Sequence, residues 1–223
     1  MLIYKRVERL ADQDDLILDL GAKSGSNLNT DAEVVAIDLE FSEVTNKNKI
    51  SYLYADGRNL PFEDDVFDFV VVNQVIEHTN RRKELFQEVA RVLNSGGIAL
   101  FSFPNRFTLN KPHGLPRAAS VIPKPLGLYL SERFLDKAKH QYYRNALFPL
   151  SPVGARLALR ESFGSIQYIT IAESMRNREI YSDRLLPQLF VAFLPLIAFV
   201  SRFTVFRFLF ELVWGHVAYE CRQ

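Results

Sequence analysis

Leu16-Ile17-Leu18-Asp19-Leu20-Gly21-Ala22-Lys23-Ser24-Gly25 is the stretch of this chain that decides the fold. Its first half is an apolar run of strand length, and its second half is a loop whose glycines let a ligand approach the backbone. An apolar strand with an acidic residue near its end, followed by a glycine-spaced loop, is typical of a nucleotide site. Lys23 departs from that pattern, because it stands where such loops usually have a glycine.

Further apolar runs alternate with helical or loop segments, which favours a parallel sheet with crossover helices. After the strand at 16–20, strands are predicted at 34–37, 50–54, 69–72, 98–103, 165–171 and 217–220. A helix is predicted at 81–93, with Gly96 and Gly97 as its stop, and another at 152–161. The continuous valine and isoleucine content indicates strands buried on both faces.

The composition indicates one buried core and excludes several classes of protein. The chain has 223 residues, 48% of them apolar, and a net charge of +1, which gives no reason to expect a nucleic-acid partner. Its single cysteine, Cys221, excludes an intramolecular disulfide and a cysteine-rich metal site, and no metal is expected. The first residues lack the apolar core of a secretory signal, so a cytoplasmic location is predicted.

Three regions are predicted from the pattern: a core at 1–105, an insertion or lid at 106–151, and completion of the sheet at 152–223. The segment from Arg106 to Arg144 carries eight basic and two acidic residues, so it is about +6 while the rest is about −5. Two apolar helices are expected within 185–214. Their aromatic surface predicts either core or homodimer packing, or peripheral contact with the inner face of the membrane, and both interpretations stay open.

Three carboxylates are predicted to face one crevice. In a doubly wound sheet, ligands bind at the carboxyl ends of strands where the strand order reverses. Asp19, Asp38 and Asp56 each lie at or near such an end. Asp38 follows Gly21 by 17 positions, a spacing that suits a carboxylate accepting hydrogen bonds from both hydroxyls of a ribose.

Three later runs support this interpretation and extend it. They read ADGRNLPF at 55–62, VFDFVVVNQVIEH at 66–78 and EVARVLNSGG at 88–97. Together with the opening stretch they resemble the class I S-adenosylmethionine-dependent methyltransferases, particularly the methyltransferase type 11 group. The resemblance spans residues 16–105 in the right order. It implies an α/β, Rossmann-like, doubly wound and mostly parallel sheet, and S-adenosyl-L-methionine as the cofactor.

The resemblance also implies which residues bind the cofactor. The methionine part falls to Asp19 and the loop from Gly21 to Gly25, the ribose to Asp38, and the adenine to Asp56 with Gly57. Asn73 and Gln74 would lie beside the methionine and the sulfonium. The full predicted set is Asp19, Gly21, Ala22, Gly25, Asp38, Leu39, Asp56, Gly57, Asn73 and Gln74.

Two departures from the family pattern concern the loop. Only about a dozen residues separate Gly25 from Asp38, so the helix that normally follows the loop must be short or missing. Lys23 can be tolerated if its side chain points outward. If it points inward, its charge would oppose the sulfonium while attracting the methionine carboxylate.

The methyl acceptor is less well defined. His78 and His113 are the candidate general bases, since histidine titrates near neutrality. The run from Phe101 to Phe107, followed by the His-Gly-Leu-Pro element at 113–116, resembles members from bacterial and archaeal glycan synthesis. This resemblance implies a small or glycan-like, lipid-linked acceptor, for which O-methylation is predicted, and the basic insertion suits an anionic one. Two alternatives remain: a non-catalytic binding or scaffold protein, and an NAD(P)-dependent oxidoreductase, which the loop disfavours because it is not Gly-x-Gly-x-x-Gly.

Overall fold

A computed structural model describes residues 2–23, 25–41, 50–107, 121–177 and 216–223. Its strands form one sheet in the order β3-β2-β1-β4-β5-β7-β6. They are β1 (Leu16–Leu20), β2 (Glu33–Asp38), β3 (Ile50–Tyr54), β4 (Phe67–Asn73), β5 (Leu93–Pro104), β6 (Ser165–Tyr168) and β7 (His216–Arg222). The first five are parallel, and β7 runs antiparallel between β5 and β6. The predicted Rossmann-like, mostly parallel sheet is confirmed.

The strand order reverses between β1 and β4, since β1 pairs with β2 on one side and with β4 on the other. A crevice forms at such a point because the connections from the two neighbouring strands leave in opposite directions. The glycine loop begins directly after β1 and therefore lies at this reversal.

Helices cover both faces of the sheet. They are α1 (Leu2–Leu10), α2 (Arg82–Val92), α3 (Lys124–Phe134), α4 (Lys137–Asn145), α5 (Pro152–Leu159) and α6 (Thr170–Arg176), with a short 3₁₀ helix at Ile76–His78. The α2 helix forms because Leu85, Phe86, Val89 and Val92 recur at helical spacing and are all buried. The α5 helix begins where the Ser151 hydroxyl accepts from the Gly154 amide at 3.0 Å.

Alternate residues of the central strands pack into two separate hydrophobic layers. Val70 and Val72 of β4 contact the layer that includes α2 and α5. Phe69 and Val71 of the same strand contact the opposite layer, which includes α1. This alternation explains why the strands read as continuous apolar runs in the sequence, since both of their faces are buried.

Two sequence predictions about element ends are wrong. The α2 helix ends at Val92 because Leu93 is already extended, and Gly96 and Gly97 lie within β5 rather than stopping the helix. The strand predicted at 165–171 ends at Tyr168, and helix α6 begins at Thr170. The α1 helix had no counterpart in the sequence prediction, although Ile3, Tyr4 and Val7 are buried on it at helical spacing.

The connection from β1 to β2 contains no helix within its described residues, 21–23 and 25–32. This agrees with the prediction that the usual helix after the loop is short or missing. Leu28 and Ala32 of this connection are buried in the same layer as Ile3 and Val7 of α1. Helix α1, which precedes β1, therefore packs against this connection, which has no helix of its own in its described residues.

The described part of the predicted insertion, residues 121–151, consists chiefly of α3 and α4. Tyr143 and Leu147 form a small core of their own beside these helices. His113 and the helices predicted within 185–214 lie outside the described residues. In the described ranges, we find no helix with the length and apolarity that a bilayer crossing requires.

Candidate functional site

A cavity of about 610 Å³ lies at the carboxyl ends of the strands around the reversal. It contains six of the ten residues predicted to bind a cofactor, and also His78, one of the two candidate bases. The six are Gly21, Asp38, Leu39, Asp56, Gly57 and Gln74. The volume falls within the range of small-molecule sites in proteins.

The two carboxylates on the cavity wall are held differently. Asp38, at the end of β2, accepts a hydrogen bond from the Glu40 amide at 3.1 Å. Asp56 is engaged by the Arg58 guanidinium, whose Nε lies 2.9 Å from Oδ1 and whose Nη2 lies 2.6 Å from Oδ2. Those hydrogen bonds hold the pKa of Asp56 below its ordinary value. Asp56 is therefore an anion at neutral pH with a fixed orientation.

Asp19 does not lie on the cavity wall. It is fully buried, and the Tyr4 hydroxyl donates to its Oδ1 at 3.2 Å. Burial raises the pKa of Asp19 to about 6, while hydrogen bonds from Ser26 and Tyr4 oppose that rise. The prediction that three carboxylates face one crevice thus holds for Asp38 and Asp56, and Asp19 lies beneath the loop.

Three other residues predicted to bind the cofactor also lie off the cavity wall. They are Ala22, Gly25 and Asn73. The Asn73 side chain, at the end of β4, forms a hydrogen bond with the Tyr4 hydroxyl and lowers its pKa, although burial raises that pKa overall. Asn73 and Asp19 therefore belong to one polar cluster below the loop.

The loop is fixed by backbone hydrogen bonds to β2. The amides of Gly21 and Ala22 donate to the Ile37 carbonyl at 2.8 and 3.2 Å. Gly21 has φ +86°, a conformation that a side chain rarely adopts. Lys23, the departure from the family loop, is exposed and also lines the cavity.

Gln74 has an unusual backbone conformation at the end of β4. Its φ is +55°, and its amide donates to the Ser102 carbonyl at 2.7 Å. Non-glycine residues in the left-handed region cost free energy and are often found at functional sites. The turn brings Gln74 and Val75 to the cavity wall.

His78 is oriented by the insertion. Its Nδ1 lies 2.8 Å from the carbonyl oxygen of Ala146, which follows α4. Because a carbonyl can only accept, Nδ1 carries the proton in this arrangement, and in the neutral ring Nε2 is then the acceptor nitrogen. Tyr142 of α4 also lines the cavity, with its ring centroid 6.4 Å from that of His78.

Glu77 is a buried acid next to His78. Its side chain is 1% exposed, and its Oε1 lies 3.9 Å from Nε2 of His78. Burial raises the pKa of Glu77 to about 7, and its own backbone amide and Arg82 oppose the rise. A proton can therefore be held or released at this position near neutral pH.

Sequence reasoning missed several residues of the site. Arg58 and Val75 lie within the runs that carry the family resemblance, and Arg58 follows Asp56 by two positions, which is the available signal for it. Tyr142 belongs to the basic insertion that was expected to face an acceptor, whereas Tyr4 is distant in sequence and only folding brings it next to Asp19. The described ranges contain no group of three or more histidine, cysteine, aspartate or glutamate side chains arranged to hold a metal ion.

The cavity combines features that suit a nucleoside joined to an amino acid. Carboxylates at the ends of adjacent strands can accept from ribose hydroxyls and from an exocyclic amino group. Ile37, Leu39 and Leu85 provide apolar surface for a base.

Comparison with known proteins points to the same chemistry. Residues 18–101 match the family model described as a methyltransferase domain. An uncharacterized protein of Methanocaldococcus jannaschii is 24% identical over 144 residues, which cover 62% of this chain and 70% of that protein. A probable S-adenosylmethionine-dependent methyltransferase of Mycolicibacterium smegmatis is 31% identical over 122 residues. These residues cover 52% of this chain and 48% of that protein, so this chain spans about half of its length.

A solved structure shares the fold over nearly the whole chain. It is phosphoethanolamine N-methyltransferase 2 of Haemonchus contortus in complex with S-adenosyl-L-methionine, with a TM-score of 0.55 and 14% identity. The match covers 99% of this chain and 50% of that one. At this identity the likeness shows a common fold and leaves the acceptor open.

Proposed function

We propose that this chain, an S-adenosylmethionine-dependent methyltransferase with the class I fold, transfers a methyl group to an oxygen of a small or glycan-like, anionic acceptor. The observation that carries the proposal is the cavity at the strand-order reversal, with Asp38 and Asp56 on its wall. This cavity lies in the segment that matches the methyltransferase domain.

S-adenosyl-L-methionine is the cofactor, and when bound it supplies a methyl group already activated by the sulfonium charge. The residues present fit it, since the cavity offers two carboxylates, an apolar wall and a glycine loop at a suitable volume. The chain's contribution to catalysis is then mainly alignment of the acceptor and exclusion of water.

In this proposal Asp38 and Asp56 bind different parts of the nucleoside. Asp38 accepts from the ribose hydroxyls, beside Leu39. Asp56 accepts from the adenine amino group next to Gly57, and for this one of its oxygens shares a position that Arg58 already engages. Arg58 fixes the orientation of that carboxylate before the adenine arrives.

The methionine part is assigned to the loop and to the end of β4. Gly21, Ala22 and Gly25 shape the loop, and Gln74 lies at the wall facing it. Asp19 and Asn73 act from below, where the buried carboxylate provides a negative potential for the methionine ammonium. The low polarity of that environment strengthens the attraction.

His78 is proposed as the general base for the acceptor hydroxyl. The Ala146 carbonyl holds the proton on Nδ1, which leaves Nε2 to accept the proton of the acceptor. Glu77 lies 3.9 Å from that nitrogen and stabilises the imidazolium that results. His113 is retained as a second candidate base.

The insertion at 106–151 is proposed to recognise the acceptor, while 1–105 binds the cofactor and 152–223 completes the sheet. Tyr142 supports this assignment because it brings a side chain of the insertion to the cavity wall. The positive charge of the insertion suits an anionic acceptor. A lipid-linked acceptor would agree with peripheral membrane contact through 185–214. A homodimer through the same residues is the alternative. A cytoplasmic location belongs to the same proposal.

Calorimetric titration with S-adenosylhomocysteine tests the cofactor site without knowledge of the acceptor. We expect saturable binding to one site per chain, and absence of binding would overturn the enzyme proposal in favour of a scaffold role. Transfer of a radiolabelled methyl group to a panel of anionic sugars, carboxylates and lipid-linked glycans then tests the acceptor class. We expect His78→Gln to abolish transfer while leaving the affinity for S-adenosylhomocysteine within about 3-fold.

A further inference from the structure

The first helix has a structural role that the methyltransferase resemblance, which begins at residue 16, does not include. The connection from β1 to β2 has no helix in its described residues, yet its Leu28 and Ala32 are fully enclosed. They are enclosed by the layer to which Ile3 and Val7 of α1 belong. The α1 helix thus provides the apolar support that a crossover helix would otherwise give to the cofactor loop.

Two polar contacts join α1 to the chain before and after the loop. The Tyr4 hydroxyl donates to Oδ1 of Asp19, just before the loop, at 3.2 Å. Oε1 of Glu8 accepts from the Asn29 amide, in the second half of the connection, at 3.0 Å. The loop between these points is therefore held at both ends by one helix.

Tyr4 also links the two strands that flank the reversal. Besides donating to Asp19 near the end of β1, its hydroxyl forms a hydrogen bond with the Asn73 side chain at the end of β4. Tyr4 is 4% exposed and Asp19 is fully buried, so water cannot replace a lost partner without entering the core. A buried polar group left without its partner is costly, which makes the arrangement specific.

We propose that Tyr4 is a positioning residue for the cofactor: its hydroxyl fixes the buried Asp19 carboxylate and, with Glu8, holds the loop from Gly21 to Gly25 in its binding conformation. This inference rests on the proposed function, because it assigns the loop and Asp19 to the methionine part of S-adenosylmethionine. Neither Tyr4 nor Glu8 touches the cavity, so both act through other residues.

Tyr4 remains a donor throughout the useful pH range, because burial raises the pKa of its hydroxyl and Asp19 raises it further. Asp19 is faced by Tyr4 from α1 and by Ser26 from the connection, and both hydrogen bonds lower its pKa, which burial holds at about 6. Loss of the Tyr4 hydroxyl should therefore raise the pKa of Asp19. Protonated Asp19 would then appear at a higher pH.

The test is calorimetric titration of S-adenosylhomocysteine into Tyr4→Phe at several pH values. We expect the affinity at pH 7.5 to fall about 3- to 15-fold, as for one lost hydrogen bond. The pH at which binding weakens should also move upward, because Asp19 is neutralised sooner as the pH falls. A merely structural loss would lower the affinity equally at every pH.

Two further variants keep the test decisive. Tyr129→Phe removes the hydroxyl of a tyrosine that is 65% exposed on α3, and it should leave both readouts unchanged. Glu8→Ala should weaken binding about 2- to 4-fold, as expected for a more exposed contact, and it replaces Tyr4→Phe if that variant does not fold. If wild-type protein fails to bind, the proposed function fails. If wild type binds and both variants match it in affinity and pH dependence, the role of α1 is refuted.

Discussion

Gly21 and Val75 are packed so closely that a Cβ atom built on Gly21 would clash with Cγ2 of Val75. Gly21 follows β1 and Val75 lies just beyond the left-handed Gln74 after β4. The contact therefore joins the two strand ends on either side of the strand-order reversal. It explains a glycine at position 21 by packing as well as by the positive φ.

Gly21→Ala should destabilise the fold and weaken cofactor binding. The left-handed backbone and the clash with Val75 together should cost about 2 to 4 kcal/mol of unfolding free energy. Gly96→Ala is the matched control, because Gly96 has φ +91° but no atom lies within 4 Å of the position of an alanine Cβ. This substitution should cost about 1 kcal/mol of unfolding free energy. Urea denaturation gives the comparison, and equal losses would refute the packing argument.

Asp38→Ala should weaken binding of S-adenosylhomocysteine by about 1 to 3 kcal/mol, because the ribose hydroxyls lose their acceptor. Glu40→Ala removes the same charge from an exposed neighbour and should have no measurable effect. Calorimetry at pH 7.5 is the measurement. An unchanged affinity for Asp38→Ala would refute the ribose assignment.

Asp56→Asn should reduce discrimination between adenine and hypoxanthine. The wild-type carboxylate can accept from the adenine amino group, whereas S-inosylhomocysteine presents a carbonyl oxygen there and should bind about 10- to 100-fold more weakly. The asparagine amide can donate to that oxygen, so the ratio of the two affinities should fall to about 3-fold or less. A ratio unaffected by the substitution would place the adenine elsewhere.

Lys23→Met should favour S-adenosylmethionine over S-adenosylhomocysteine. Both ligands carry the same methionine carboxylate, but only the first has a sulfonium that the Lys23 ammonium repels. Because Lys23 is exposed, screening should limit the change in the affinity ratio to about 2- to 4-fold, and 0.5 M salt should reduce it. Lys83→Met, on the exposed side of α2, is the control, and a change of equal size there would exclude a local effect of Lys23.

Glu77→Gln should stabilise the protein above neutral pH. The folded pKa of Glu77 is about 7, above its ordinary value of 4.5, because its carboxyl is buried. The contribution of this group to stability is therefore fully present below about pH 4.5 and is lost as the pH rises through 7, by about 3 kcal/mol. Glutamine stays neutral, so the variant should match wild type near pH 5 and exceed it at pH 8.

Urea midpoints at pH 5 and pH 8 measure the effect of Glu77→Gln. Glu84→Gln, at a half-exposed position of α2, should show no such pH-dependent gain. A difference between Glu77→Gln and wild type that is the same at both pH values would show that burial does not neutralise Glu77.

Most of the parallel sheet could be predicted from sequence because β1, β2, β4 and β5 are largely buried, whereas β3 is partly exposed. Buried strands read as uninterrupted apolar runs, and the run at 69–72 falls within β4 while that at 34–37 falls within β2. The ends of elements were less predictable. Gly96 looked like a helix stop, yet Leu93 had already become extended, since pairing with β4 outweighed the local glycine signal.

The sequence alone determined the class of fold and the position of the cavity, because burial on both faces and the loop after β1 are local patterns that require a parallel sheet with a ligand crevice. Only the tertiary structure decided that Asp19 lies beneath the loop, that Tyr4 holds it there, and that Tyr142 reaches the cavity wall. Contacts between residues far apart in the chain depend on how whole layers pack. No local pattern of residues specifies them.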